Sequence, residues 1–228
     1  MAYSATVAPA AEARVNSFLA RVYLLMSLGL GVTGVVSYLV SENIGLLIRL
    51  NTNPWLAWGL FIVQIVVVSI LIARAMSLSP GAASLIFLGY AALTGLSISS
   101  IFLVYRQEQI ASVFLLTAGA FLITSVIGML LKRDMSGSGQ WLFMLLAGWS
   151  LAWLLSWLFP FSNFGWALNY IGIALFVGLT AWDAQQLRKM GQEIGNRPGA
   201  GGLVIIGALR LYLDYINLFL LLLRTSRR

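Results

Sequence analysis

The sequence predicts an all-α integral membrane protein, a bundle of seven transmembrane helices. Three observations carry that prediction. Of the 228 residues 60% are hydrophobic and only 9% charged, against roughly 25% charged in ordinary soluble domains. The mean hydropathy is +0.92. The apolar residues also gather into runs near the ~20 residues a helix needs to cross hydrocarbon, too many and too long for polar residues to cover in water.

Seven such runs are read, at residues 18–40, 56–76, 82–104, 109–131, 141–159, 165–187 and 203–224. Residues 1–17 (MAYSATVAPAAEARVNS) have small residues, one Pro and mixed charge, without the basic start of a signal peptide. They are expected to be a short cytoplasmic tail. Turn-forming residues fill several connections: Asn51 to Pro54, Ser77 to Gly81, Met135 to Gly139, Pro160 to Gly165 and Asn196 to Gly202. Residues 18–228 therefore form a single transmembrane domain. No internal repeat supports an inverted-repeat transporter architecture.

Small residues recur within the spans, as Gly29, Gly31 and Gly34 in the first and Gly172, Ala174, Gly178 and Ala181 in the sixth. Such spacing lets helices approach closely in lipid, and plain packing accounts for it. Trp55, Trp58, Tyr105, Trp141, Trp166 and Tyr170 lie near span ends, where amphipathic rings anchor at the headgroups.

The formal net charge of +7 arises from 14 basic and 7 acidic residues. The basic residues sit at span ends, which points to a lipid bilayer as partner and not to nucleic acid. With the N-terminus cytoplasmic, that side holds Arg14, Arg21, Arg74, Lys132, Arg133, Arg188, Lys189 and Arg197, and the other side Arg49, Arg106, Arg224, Arg227 and Arg228. This bias favours an inside N-terminus, although the basic C-terminus runs against it. Seven full crossings put that C-terminus outside; a re-entrant last segment is the alternative.

Cys and His are both absent. Thiolate metal sites, disulfides, Cys nucleophiles and Ser–His hydrolase chemistry are therefore excluded. No phosphate-binding glycine loop is present, no resident cofactor is expected, and the chain is not expected to be an enzyme. Any response to pH must come from carboxylates.

Two acids and one arginine stand where charge is expensive. Asp183 lies in the last turns of the sixth span, Asp214 near the middle of the seventh, and Arg210 four residues before it. An Asp at mid-membrane costs about 2.5 to 3.5 kcal/mol on insertion scales and normally faces the bundle interior or a water-filled cavity. Spans six and seven are consecutive, so Asp183 can approach Asp214, depending on whether the last helix starts at Leu203 or near Gly207. Two carboxylates in one dry site titrate as a pair. Hard cations take oxygen ligands, so Asp183 and Asp214 are also candidates for transient calcium binding. Thr94, Ser97, Ser99 and Asn217 are candidate pore-lining groups.

The blocks YAALTGLSISSIFLVY (90–105), KRDMSG (132–137), YIGIALFVGLTAWDAQQLRKMG (170–191) and IIGALRLYLDYINLFLLLLR (205–224) closely resemble the Bax inhibitor-1 family, in particular its bacterial inner-membrane members. The resemblance runs from about residue 15 to the C-terminus. It implies a seven-helix bundle whose last helix is central, and a pH-sensitive calcium leak channel with calcium as the permeant ion. It further implies a gating latch of two aspartates joining the sixth and seventh spans, which by motif fall on Asp183 and Asp214, with a companion arginine on Arg74. Two positions depart from the pattern. Arg210 stands where a small Ser or Thr is usual, and its charge would modulate the latch by favouring ionised Asp214; Trp182 stands where Tyr is common. Two other functions remain open: a non-conducting regulator that binds other membrane proteins, and an intramembrane aspartyl protease. The protease lacks support at Tyr212–Asp214, where Gly-x-Gly-Asp would be expected.

Overall fold

A computed structural model describes residues 3–131, 134–135, 137–158, 165–194 and 200–226, with side chains from residue 12 onward except at 157, 158, 194 and 200. Lys132, Arg133, Arg197, Arg227 and Arg228, and most of the turns read at 160–165 and 196–202, lie outside the described residues. Those that are described form helices: α1 (Tyr3–Glu42), α2 (Ile44–Thr52), α3 (Pro54–Arg74), α4 (Pro80–Ile98), α5 (Gln107–Leu130), α6 (Ser138–Leu158), α7 (Gly165–Ile194) and α8 (Ala200–Thr225). A 3₁₀ segment, Ser99–Leu103, continues α4. Seven of the helices, all except α2, are long and apolar enough to cross a membrane.

All seven expected spans are present, with three differences. Residues 3–17, expected as a tail, are the opening of α1. The segment after the first span holds α2, which sequence did not anticipate. Its nine residues are too few to cross a membrane, so a reading that looks for spans passes over it. Finally, α7 runs past residue 187 to Ile194, and α8 begins at Ala200 and not at Leu203 or Gly207.

Local chemistry sets several of the boundaries. Asn43 and Asn53 cap α2 and α3, their side-chain oxygens accepting from Leu46 N (3.0 Å) and Trp55 N (3.0 Å). Ser79 caps α4 by accepting from Ala82 N (3.3 Å). Pro54 and Pro80 follow those caps in the first turn, where the missing N–H costs no hydrogen bond.

The chain divides into two compact units, Met1–Arg106 with Gly191–Tyr212, and Gln107–Met190 with Leu213–Arg228. In the first, α1 and α4 pack closely. A Cβ at Gly95 would lie 2.7 Å from the Thr33 carbonyl oxygen, so only glycine permits that approach. Thr33 Oγ1 donates to the Ala91 carbonyl (2.8 Å) and lies 2.7 Å from the Tyr212 hydroxyl. The Tyr212 ring meets Phe87 edge-on with centroids 5.5 Å apart, a favoured aromatic geometry. Gln64 of α3 donates to Ser97 of α4.

In the second unit, α5, α6, α7 and the C-terminal half of α8 enclose a core of Leu175, Phe176, Leu179, Leu218 and Leu221, with Leu142, Leu146 and Trp149 packed against it. A Cβ at Gly128 would overlap the Ala181 backbone carbonyl, so α5 and α7 touch main chain to main chain there. Gly139 similarly makes room for the Trp182 ring, which also meets Phe143 edge-on at 5.6 Å. The larger aromatic at Trp182 thus sits against a residue without a side chain.

Exposure follows the helices. In α8 61% of the most apolar window is buried, against 6% in α3 and in α6. The outward faces of those two carry Trp55, Phe61, Ile62, Trp141 and Phe143, all more than half exposed, as lipid-facing surfaces should be.

Two measurements test this architecture. If all seven helices cross, the termini lie on opposite sides, and the charge bias favours an N-terminus inside. A reporter fused after Arg228 should therefore be external; a cytoplasmic reporter at both ends would make the last segment re-entrant. In detergent, Gly128→Ala should lower stability by about 1 to 3 kcal/mol through overpacking. Gly148→Ala, whose Cβ would meet nothing within 4 Å, should be neutral or stabilising by roughly 0.5 to 1 kcal/mol.

Candidate functional site: two acids in an apolar bundle

Asp183 and Asp214 are both enclosed by protein, 5% and 6% exposed. Both lie in the second unit, on α7 and α8, which run antiparallel there. Asn169, near the start of α7, donates through Nδ2 to the Leu221 carbonyl (3.1 Å) and to Thr225 Oγ1 (2.7 Å) near the end of α8.

The core fixes the levels of the two acids. Leu179 and Leu218 belong to one buried cluster, and so do Leu175 and Leu221, with Leu222 packed against it. One turn onward from Leu179 along α7 is Asp183, and one turn back from Leu218 along α8 is Asp214. On antiparallel helices those steps run the same way along the axes, about 6 Å each. Each carboxylate therefore lies about one turn beyond the leucine cluster on its own helix, toward the same end of the unit.

Around this end the helix ends are bound by polar side chains. Gln185 is 5% exposed; its amide oxygen accepts from Met135 N (2.8 Å) and its Nε2 donates to the Leu131 carbonyl (3.3 Å). Arg188 donates to the Met129 carbonyl, and Lys189 pairs with Asp134. The bonds from Gln185 Nε2 and Arg188 satisfy carbonyls at the end of α5 that lack helical partners. On the other flank, Tyr215 donates its hydroxyl to the Phe114 carbonyl (2.8 Å), and its ring meets Phe114 and Phe121 edge-on. The residue that follows Asp214 thus ties α8 to α5.

The other predicted site residues fall as follows. Arg74 is the last residue of α3 and is exposed. Arg210 is partly buried on α8, four residues before Asp214 on one continuous helix, hence on the same helical face. Thr94, Ser99 and Asn217 each donate to a carbonyl of their own helix, those of Tyr90, Leu96 and Leu213. Ser97 is exposed and accepts from Gln64. Among the described residues no three or more His, Cys, Asp or Glu side chains gather as a metal site. Two carboxylates alone make at most a weak, transient cation site.

Sequence reading passes over Gln185 and Asn169 and reads Arg188 only as a basic residue at a span end. The signal available was their place: polar residues inside or at the edge of an apolar span, in the same segment as Asp183.

Long apolar helices with acids sealed among them define a multi-pass α-helical membrane protein. The chain belongs to the Bax inhibitor-1 family: the family model described as "Inhibitor of apoptosis-promoting Bax1" matches residues 15–226. It is 44% identical over 215 residues to the inner membrane protein YbhL of Escherichia coli K12, covering 93% of this chain and 92% of that protein. It is 37% identical over 215 residues to an uncharacterized protein of Borreliella burgdorferi, covering 92% and 90%. With an uncharacterized membrane protein of Streptococcus pyogenes serotype M3 it shares 36% identity over 217 residues, 93% of each chain.

Proposed function

We propose that the chain is a pH-sensitive cation leak channel of the bacterial inner membrane, with calcium as the permeant ion and Asp183 and Asp214 as its gate. The observation that carries this reading is the burial of two acids on adjacent antiparallel helices, each about one turn beyond the same leucine cluster. Ionised carboxylates are costly in such surroundings. Two of them a few ångströms apart in low dielectric repel, whereas a pair sharing one proton attracts. The proton occupancy of the pair is thus a mechanical variable: it decides whether α7 and α8 are held together or pushed apart there. In a chain without His, this is the group suited to sense pH near neutrality.

The gate is closed while the two acids hold each other and open when that link breaks. Arg74 enters this reading through family resemblance alone, as the arginine that stabilises the closed link. The oxygen-only character of the polar groups in the spans suits a hard cation, and the lack of a dense ligand cluster suits passage over storage.

Calcium flux into liposomes containing the purified protein tests the gate. Asp183→Asn and Asp214→Asn should each change the flux rate severalfold and flatten its dependence on pH between about pH 5 and pH 8. A pH profile unaltered in well-folded single and double variants would remove the pair from the mechanism. No flux in the unsubstituted protein would favour the non-conducting regulator.

Arg210 gives an independent test with a defined sign. Its guanidinium stays protonated and lies on the helical face of Asp214, so it favours the ionised carboxylate. In the same liposomes, Arg210→Ser should move the pH midpoint of flux upward by about one unit. A midpoint that stays or falls would mean that Arg210 does not act on Asp214.

A further inference from the structure

The buried residues of α5 are Val113, Thr117, Phe121, Ser125 and Gly128. They recur every three or four residues and so share one helix face. That face is the seam along which α5 meets α7 and α8. Phe121 meets the ring of Tyr215 on α8 edge-on at 5.5 Å, and Gly128 packs against the Ala181 backbone of α7. Ser125 stands between these two contacts, about one turn from each. Tyr215 directly follows Asp214, and Ala181 lies just before Trp182 and Asp183. The contacts that bracket Ser125 are thus made by near neighbours of the two acids.

Ser125 is 1% exposed, and its Oγ is sealed from solvent without a hydrogen-bond partner. Other hydroxyls in the second unit find an acceptor on their own helix. Thr117, on the same face of α5, donates to the Val113 carbonyl (2.7 Å), and Thr180 on α7 donates to that of Phe176 (2.7 Å). A hydroxyl that is dry and unbonded costs free energy relative to one in water, and hydrocarbon supplies no partner to recover it. Polar bonds pin the seam on either side of Ser125. Tyr215 donates to the Phe114 carbonyl (2.8 Å) at one end, and Gln185 and Arg188 reach the Leu131 and Met129 carbonyls at the other. Between those pins the described contacts are ring against ring and main chain against main chain, which can part without breaking a hydrogen bond.

We propose that water enters the protein along this seam when the gate opens, and that Ser125 is the hydroxyl lining the wetted path. The inference rests on the channel reading above and says where the path runs. In the closed form Ser125 is dry and opposes closure by the cost of its sealed donor. In the open form it donates to water and presents its oxygen to a hard cation.

The test uses the full chain in liposomes. Because the sequence has no Cys, Ser125→Cys carries a single thiol, and a water-soluble methanethiosulfonate modifies it only where water reaches the thiolate. Ala91→Cys, at a fully buried position on α4, is the control. Modification of Ser125→Cys should be about tenfold faster than that of Ala91→Cys, because a tenfold ratio corresponds to the cost of one sealed donor. Equally slow modification of the two would overturn the proposal. Ser125→Ala removes the sealed donor, so it should lower calcium flux about tenfold without lowering the melting temperature; unaltered flux would also overturn it. Fast modification of Ser125→Cys in a chain that passes no calcium would support the wetted seam and remove the channel reading. Flux with an unreactive Ser125→Cys would keep the channel and overturn the seam.

Discussion

Hydrocarbon offers no hydrogen-bond partner, and from that constraint follow the secondary structure, the packing and the placement of the acids. Every backbone N–H and C=O inside the membrane must find its partner within the protein, which helices provide residue by residue. Where a helix stops, its last carbonyls lose that provision. In the second unit side chains take over: Gln185 and Arg188 of α7 reach the terminal carbonyls of α5, and Asn169 reaches a carbonyl of α8. Hydroxyls inside the spans turn back on their own helices, as Thr94, Thr117 and Thr180 do. Polar groups thus become joints between helices, and those joints fix the level at which α7 meets α8.

The same constraint explains the small residues. Between lipid-facing helices there is no hydrophobic drive to associate, so contact depends on close packing. Gly128 against the Ala181 carbonyl and Gly95 against that of Thr33 bring main chains to distances that any side chain would forbid. At Gly139 the space goes to the Trp182 ring. With α5, α7 and α8 packed in this way, Asp183 and Asp214 are enclosed by protein. In the proposed gate a change in their protonation is answered by a movement of helices.

The spans were legible in the sequence because their signal is composition over about 20 residues, which no local detail can hide. Their ends were less so. Gly201 and Gly202 read as a break before the last helix, yet both lie inside α8. A Cβ at either would press on Pro80 or on the Ala75 carbonyl, so their glycines serve contact and not a turn. Residues 188–194 read as a polar exit from the membrane, but Arg188 and Lys189 find partners on and just after α5 and α7 continues. The two acids were legible by their cost in a membrane. Their place toward the same end of one leucine cluster was not, because it depends on the register of α7 against α8, which leaves no mark in either helix alone.

In the proposed gate Asp183 and Asp214 titrate as one site. Infrared spectroscopy of the protein in lipid reads this most directly, through the carbonyl stretch of protonated buried carboxyls followed over a pH series. If the pair is coupled, Asp183→Asn will displace the titration that remains at Asp214, and Asp214→Asn will displace that of Asp183. Titrations that stay where they were, with the single variants adding up to the unsubstituted curve, would mean two independent acids and would contradict the account.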